Sequence, residues 1–328
     1  MGNELRARSN LLHRIRWTSD SAQNLTIFII FVVLCIIGII FEPQKFLMRQ
    51  NITNIFVSSS SIIMVAAPVT LVLISGNLDL SVGGVGAMGG VVFGLLTHYG
   101  MSIPLAFFLA IMCGAACGFL SGYSISALVL PSFIISLAFK YIGRGIALIG
   151  ANGAVVFGIP KAVDRLSITL FGWLPLPMVY AIVTTLIFMF IQSRTVFGSM
   201  CYAMGANQKA AKLSGINAKL TITGVFTLAG IMAAFAGIVM TSRVIAADSG
   251  NFPTLESDCI IAAVLGGTDI NGGSGTVFGM LIGALFITVL TNIMNMQGIT
   301  IYLQNVVKGV VLILAIFLNH IIRNRVRV

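Results

Sequence analysis

Long apolar runs, each closed by a short polar or glycine-rich break, dominate the chain. They fall at about 25–42, 53–75, 80–97, 103–124, 126–148, 174–193, 221–241, 257–268, 274–296 and 301–322. Most have the roughly 17–25 residues that an α-helix needs to cross the hydrocarbon core. The run 257–268 is too short to cross alone. It is expected to be either a half-helix ending inside the protein or a span completed by the glycine-rich turn after it. No alternating strand pattern competes with these runs. The expected fold is therefore an all-α polytopic membrane protein of about ten transmembrane helices, with some half-helices broken at glycine-rich turns.

Charge sharpens this picture. Of the 328 residues 58% are hydrophobic and 9% charged, far below the roughly one-quarter charged residues of soluble domains. Between Gln50 and Phe139 the only charged side chain is Asp79, and from Cys259 to Val307 the only one is Asp269. The net charge of +10 would suggest nucleic acid in a soluble protein. Here three segments hold most of the Lys and Arg: the N-terminal segment, Arg194–Lys219, and the tail after Ile322. The segment Arg243–Asp258 instead holds three acids against one arginine. Ten crossings put all three basic segments in the cytoplasm, with both termini inside and the acidic segment outside. The expected organisation is a cytoplasmic N-terminal segment 1–24, a transmembrane domain 25–322 and a cytoplasmic tail 323–328. No nucleic-acid partner is expected. The five cysteines form no disulfide-like or zinc-like spacing and read as small packing residues.

Glycine marks both packing and breaks. Gly86/Gly90/Gly94, Gly114/Gly118/Gly122 and Gly275/Gly279/Gly283 recur every fourth residue, so each set lies on one helical face where backbones can approach closely. Two further glycine clusters hold the lone carboxylates, Gly76-Asn77-Leu78-Asp79-Leu80-Ser81-Val82-Gly83 and Gly266-Gly267-Thr268-Asp269-Ile270-Asn271-Gly272-Gly273. Each follows an apolar run and leads into a glycine-striped helix, which is compatible with internal duplication.

An intramembrane carboxylate is expensive, so Asp79 is a candidate functional residue. Asn77, Asp79 and Ser81 offer donors and acceptors to a polyhydroxylated solute. The plainer alternative is that Asp79 or Ser81 caps the helix starting near Leu80, and both roles are compatible. Asp269 reads as a water-exposed cytoplasmic turn. Lys140 and Arg144, at i and i+4, are expected to reach towards lipid headgroups. No phosphate loop, metal-binding pair or nucleophile elbow is present, so no catalytic residue, metal site or bound cofactor is expected. Any ATP used must be hydrolysed by another subunit.

Between two spans lies a coupling segment, about 203–216. Asn207 can cap a short helix through Ala210, Ala211 and Leu213, which Gly215 would close. Such a helix is a compact knob suited to a partner's groove rather than to lying on headgroups.

These motifs together resemble the permease subunit of ribose-type sugar ATP-binding-cassette importers (the branched-chain amino acid/ribose permease family). The family's glycine-aspartate-leucine-serine-valine-glycine signature is similar to Gly76–Gly83. Its Pro-Phe-Ile and Arg-Gly elements are matched by Pro131-Ser132-Phe133-Ile134 and Arg144-Gly145. Its cytoplasmic stretch is matched by Gly205-Ala206-Asn207, Ala210-Ala211 and Ser214-Gly215-Ile216, and its C-terminal glycine stretch by Leu265–Gly275. Asn77, Asp269 and Ser136-Leu137-Ala138 depart from the usual pattern.

The resemblance implies a multi-pass protein of the bacterial inner membrane that pairs with a second permease copy or paralogue to form the pathway. It implies cytoplasmic ATP-binding subunits, which use ATP and Mg, and an extracytoplasmic solute-binding protein that delivers a monosaccharide such as a ribose-like pentose. Gly205, Ala206, Asn207, Ala210, Ala211, Ser214 and Gly215 would couple to the ATPase. Asn77, Asp79, Ser81 and Phe133 would lie on the substrate pathway. A nucleoside is an alternative solute, and an ion-coupled secondary transporter or an intramembrane enzyme the alternative classes.

Overall fold

The computed structural model describes the backbone of residues 25–326 and side chains as far as residue 317. The segment 1–24, expected in the cytoplasm, lies outside the described residues, as do residues 327–328 of the expected tail. The helices are α1 (Leu25–Phe41), α2 (Pro43–Phe46), α3 (Arg49–Ile74), α4 (Val82–His98), α5 (Ile103–Leu128), α6 (Ser132–Gly150), α7 (Leu176–Arg194), α8 (Val196–Ala206), α9 (Gln208–Leu213), α10 (Ala218–Val244), α11 (Leu255–Leu265), α12 (Val277–Met296) and α13 (Ile301–Val326). Between α6 and α7 the chain forms a 3-10 turn (Lys161–Leu166) and a two-stranded antiparallel ribbon of β1 (Thr169–Leu170) and β2 (Leu174–Pro175).

All ten apolar runs are occupied by helix. Among the described residues six helices, α3, α5, α6, α7, α10 and α12, are long and apolar enough to cross a membrane. The fold is thus all-α and polytopic. Phe108, Met112 and Phe119 on α5, Ile142 and Ile146 on α6, and Val310, Ile313 and Phe317 on α13 are exposed. Apolar surface on this scale, on helices with few charges, suits lipid rather than water.

The core centres on α3 and α10. From Ile63 to Ser75 every residue of α3 and its cap is buried, against α7, α10, α11 and α12. Helix α10 is held between α4 and α5 by the predicted glycine faces. A Cβ on Gly118 would fall 2.9 Å from the Thr227 Cα, and one on Gly122 2.7 Å from the Thr223 Cα. On the other side, a Cβ on Gly89 would lie 2.6 Å from the Ala234 Cα and one on Gly90 2.8 Å from the Gly237 carbonyl oxygen. Helices this close gain dispersion contacts that lipid tails cannot match.

The stretch 203–216 contains the short helix for which Asn207 was the expected cap: α8 runs through Ala206, Asn207 breaks the helix, and α9 covers Gln208–Leu213. The break has a local cause, because Asn207 is extended (φ −162°, ψ 102°) and its side chain starts a new helix. Helix α13 stays helical through Val326.

Candidate functional site

The first aspartate turn forms because α3 ends at a glycine. Gly76 takes φ +77°, which L side chains rarely adopt, and the chain then runs without helix until α4 begins at Val82. Asp79 Oδ1 accepts hydrogen bonds from the Ser81 amide (2.8 Å) and the Ser81 hydroxyl (2.6 Å). This is a local turn just ahead of α4, whose N-cap residue Ser81 makes no side-chain cap bond to the helix. Its Oδ2 is buried without a partner, and the residue is 1% exposed. Asn77 donates from Nδ2 to the Ser75 hydroxyl (3.1 Å) and is half-buried.

Helix α6 grips this stretch. The Leu78 amide donates to Ser132 Oγ (3.1 Å), and Ser136 Oγ donates to the Leu78 carbonyl (3.2 Å). Phe133 lies between these two serines in sequence and is 53% exposed. The four expected pathway residues are therefore brought to one region. Asp79 and Ser81 are enclosed, while Asn77 and Phe133 reach its surface.

The second aspartate turn repeats the first in miniature. Asp269 Oδ1 accepts from the Asn271 amide, also at 2.8 Å, so in both turns the carboxylate takes the amide two residues on. Asp269 is half-buried rather than free in water. The two turns meet. The Gly273 amide donates to the Ile74 carbonyl (2.8 Å), and a Cβ on Gly272 would fall 2.7 Å from the Gly76 Cα and 2.9 Å from the Gly205 Cα. Gly205, near the end of α8, would carry any Cβ into the Ile74 carbonyl and the Gly273 amide. Tyr202 of α8 also donates to the Gly275 carbonyl (2.6 Å). The end of α8 is thus seated in the junction of both turns.

From this seat the chain projects as a knob. Asn207 Oδ1 accepts from the Ala210 amide (3.0 Å), and Gly215 closes the helix at φ +84°. Ala206, Ala210 and Ser214 are exposed, and Ala211 packs inward. Leu213, which was not among the expected coupling residues, is 91% exposed and is the most prominent apolar group of the knob.

Lys140 and Arg144 do not reach towards headgroups. Lys140 is ion-paired with Glu256 in the first turn of α11, and Arg144 donates to the Asn251 (2.7 Å), Phe252 (3.1 Å) and Ser249 carbonyls. A second cation, Lys308 of α13, lies 2.7 Å from Asp258 Oδ1 in the same first turn. Inside a protein this apolar an unpaired charge is costly, so internal partners win over the surface.

Residues 51–316 match the family described as the branched-chain amino acid transport system permease component. The chain is 33% identical over 299 residues to the D-allose transport system permease protein of Escherichia coli K12, covering 90% of this chain and 91% of the relative. It is 33% identical over 302 residues to the ribose import permease protein of Bacillus subtilis 168 (90% and 92%). It is 31% identical over 276 residues to the autoinducer 2 import system permease protein of Salmonella choleraesuis SC-B67 (82% and 78%). No solved structure gives a match.

Proposed function

Since this chain belongs to the branched-chain amino acid transport system permease-component family, we propose that it forms the translocation pathway for a monosaccharide handed over by an extracytoplasmic binding protein. It is the permease subunit of a sugar ATP-binding-cassette importer, a multi-pass protein of the bacterial inner membrane, and ATP hydrolysis belongs to separate subunits. The similarity to permeases for allose, ribose and autoinducer 2 supports a monosaccharide-sized polyol as the solute.

In the finer reading the chain crosses ten times with both termini inside. Helix α4, of 17 residues, starts after the first aspartate turn, and α11, of 11, acts as a half-helix that ends inside the protein at the second. A second permease copy or paralogue completes the pathway. Asn77 and Phe133 contact the solute, and Asp79 and Ser81 set the turn behind them. The segment from Gly205 to Gly215 receives the stroke of an ATPase subunit that binds ATP and Mg. The observation that carries this reading is the exposed, capped helix α9 growing out of the junction of both aspartate turns.

Reconstitution of the permease with its ATPase and binding protein in proteoliposomes tests this. Sugar should accumulate only with internal ATP and external binding protein. Accumulation on a proton or sodium gradient alone would refute the importer reading.

Asp79→Asn separates the two roles of the carboxylate. Asparagine keeps an oxygen that accepts from Ser81, and it removes a buried charge whose second oxygen has no partner. Stability should hold or rise, because an uncompensated buried charge is destabilising. Uptake by the assembled importer should fall at least about tenfold, a loss of roughly 1.4 kcal/mol in transition-state terms. Wild-type uptake would reduce Asp79 to its local turn.

A further inference from the structure

Helix α11 is anchored at both ends by groups from other helices. At its first turn, Glu256 pairs with Lys140 of α6, and Asp258 pairs with Lys308 of α13. Both acids are buried and benefit from the helix's positive N-terminal end. At its other end, Gly266 leads into the turn whose Gly272 and Gly273 are lodged against Gly205 and Ala206 of α8. Eleven residues of α-helix span about 16 Å, so one rigid element joins the seat of α8 to both cations.

Stability does not account for this arrangement. Buried ion pairs contribute little net stability compared with apolar packing, and Glu256 Oε2 is buried without a partner. What such pairs supply is a contact with two discrete states, made or broken. The lysine side chains are also partly exposed, so each retains access to alternative surroundings once released. Coupling between distant sites requires elements of this bistable kind.

We propose that α11 is a push rod: displacement of the α8–α9 knob travels through the glycine junction to the first turn of α11, where the Lys140–Glu256 and Lys308–Asp258 pairs part and re-form to release and reset α6 and α13. Lys140 and Lys308 are then positioning residues of the transport cycle, acting through α11 and not through the sugar. This inference rests on the partner-driven permease reading above.

The test uses the complete importer with the five native cysteines replaced by alanine and the pair Lys140→Cys/Glu256→Cys joined by a reducible bifunctional methanethiosulfonate. The cross-linked complex should hydrolyse ATP while uptake falls at least tenfold below that of the same cysteine-pair complex before cross-linking, and reduction should return it to that level. Undiminished uptake when cross-linked overturns the push rod. A second readout does not depend on sugar: cross-linking yield should fall several-fold in vanadate-trapped complex relative to nucleotide-free complex. Equal yields overturn the proposal even if transport is normal. A wild-type complex that accumulates no sugar, while its cysteine-pair variant shows nucleotide-dependent yield, would remove the sugar assignment and keep the rod. If the cysteine pair fails to assemble, the charge exchange Lys140→Glu/Glu256→Lys decides. It should recover the sugar-per-ATP ratio lost in Lys140→Glu, and failure to recover it in an intact complex counts against the proposal.

Discussion

Gly205→Val should abolish uptake and lower the thermal stability of the purified permease sharply. The reason is geometric. Three backbone segments meet at this residue: the end of α3 at Ile74, the turn carrying Gly272 and Gly273, and the end of α8 itself. A Cβ here enters the Ile74 carbonyl and the Gly273 amide, which are hydrogen-bonded to each other at 2.8 Å. These neighbours are backbone atoms, so no side chain can swing aside to make room. Overpacking costs typically 1–3 kcal/mol, and leaving a buried amide and carbonyl unpaired costs about 1–3 kcal/mol more. The expected loss is therefore about 3 kcal/mol or more. Gly309→Val is the control, because nothing lies within 4 Å of the position a Cβ would take there. Size-exclusion profiles after graded heating, together with uptake, check both variants. A Gly205→Val protein as stable and active as wild type would mean that the junction is looser than its distances require.

The same junction marks where sequence reading stops. The ten apolar runs were legible because lipid demands about 20 apolar residues per crossing, and glycine or charge closes each run visibly. The short run at 257–268 gave the truncated α11 for the same reason. Local chemistry was legible too. The Asn207 side chain reaches only to Ala210 and the Asp79 side chain only to Ser81, so the cap of α9 and the turn before α4 both lie within a few residues of sequence. Partners distant along the chain were not legible. Lys140 lies 116 residues from Glu256, and nothing local to Lys140 says that a carboxylate waits inside the protein. Its position on an apolar helix pointed outward instead. The meeting of Gly76, Gly205 and Gly272 required the fold itself. Glycine announces a close approach without naming what approaches.

That limit applies equally to the proposed coupling knob, whose sequence match pointed to small residues and a cap but did not include Leu213. Leu213→Asp is expected to break the functional association with the ATPase subunit while leaving the permease folded. Leu213 is 91% exposed at the last turn of α9, beside exposed Ala210 and Ser214. A single projecting leucine, flanked by small Ala210 and Ser214 and by exposed Lys209 and Lys212, has the form of an anchor that fills a partner's pocket, where truncation commonly costs 2 kcal/mol or more. An aspartate would add the cost of burying a charge in that pocket. A loss of 2 kcal/mol or more corresponds to an affinity reduction of about 30-fold or more. Insertion and thermal stability should stay at wild-type values, since the side chain supports nothing inside the permease. Ala210→Trp should act in the same direction by bulk alone, on the neighbouring turn of the knob. The measurement is pull-down of the ATPase subunit by detergent-solubilised permease, paired with ATP hydrolysis in the presence and absence of loaded binding protein. Stable association with normal stimulation of hydrolysis in Leu213→Asp would move the docking surface away from α9. A permease that assembles but no longer couples hydrolysis to uptake would instead place Leu213 in the stroke rather than in the grip.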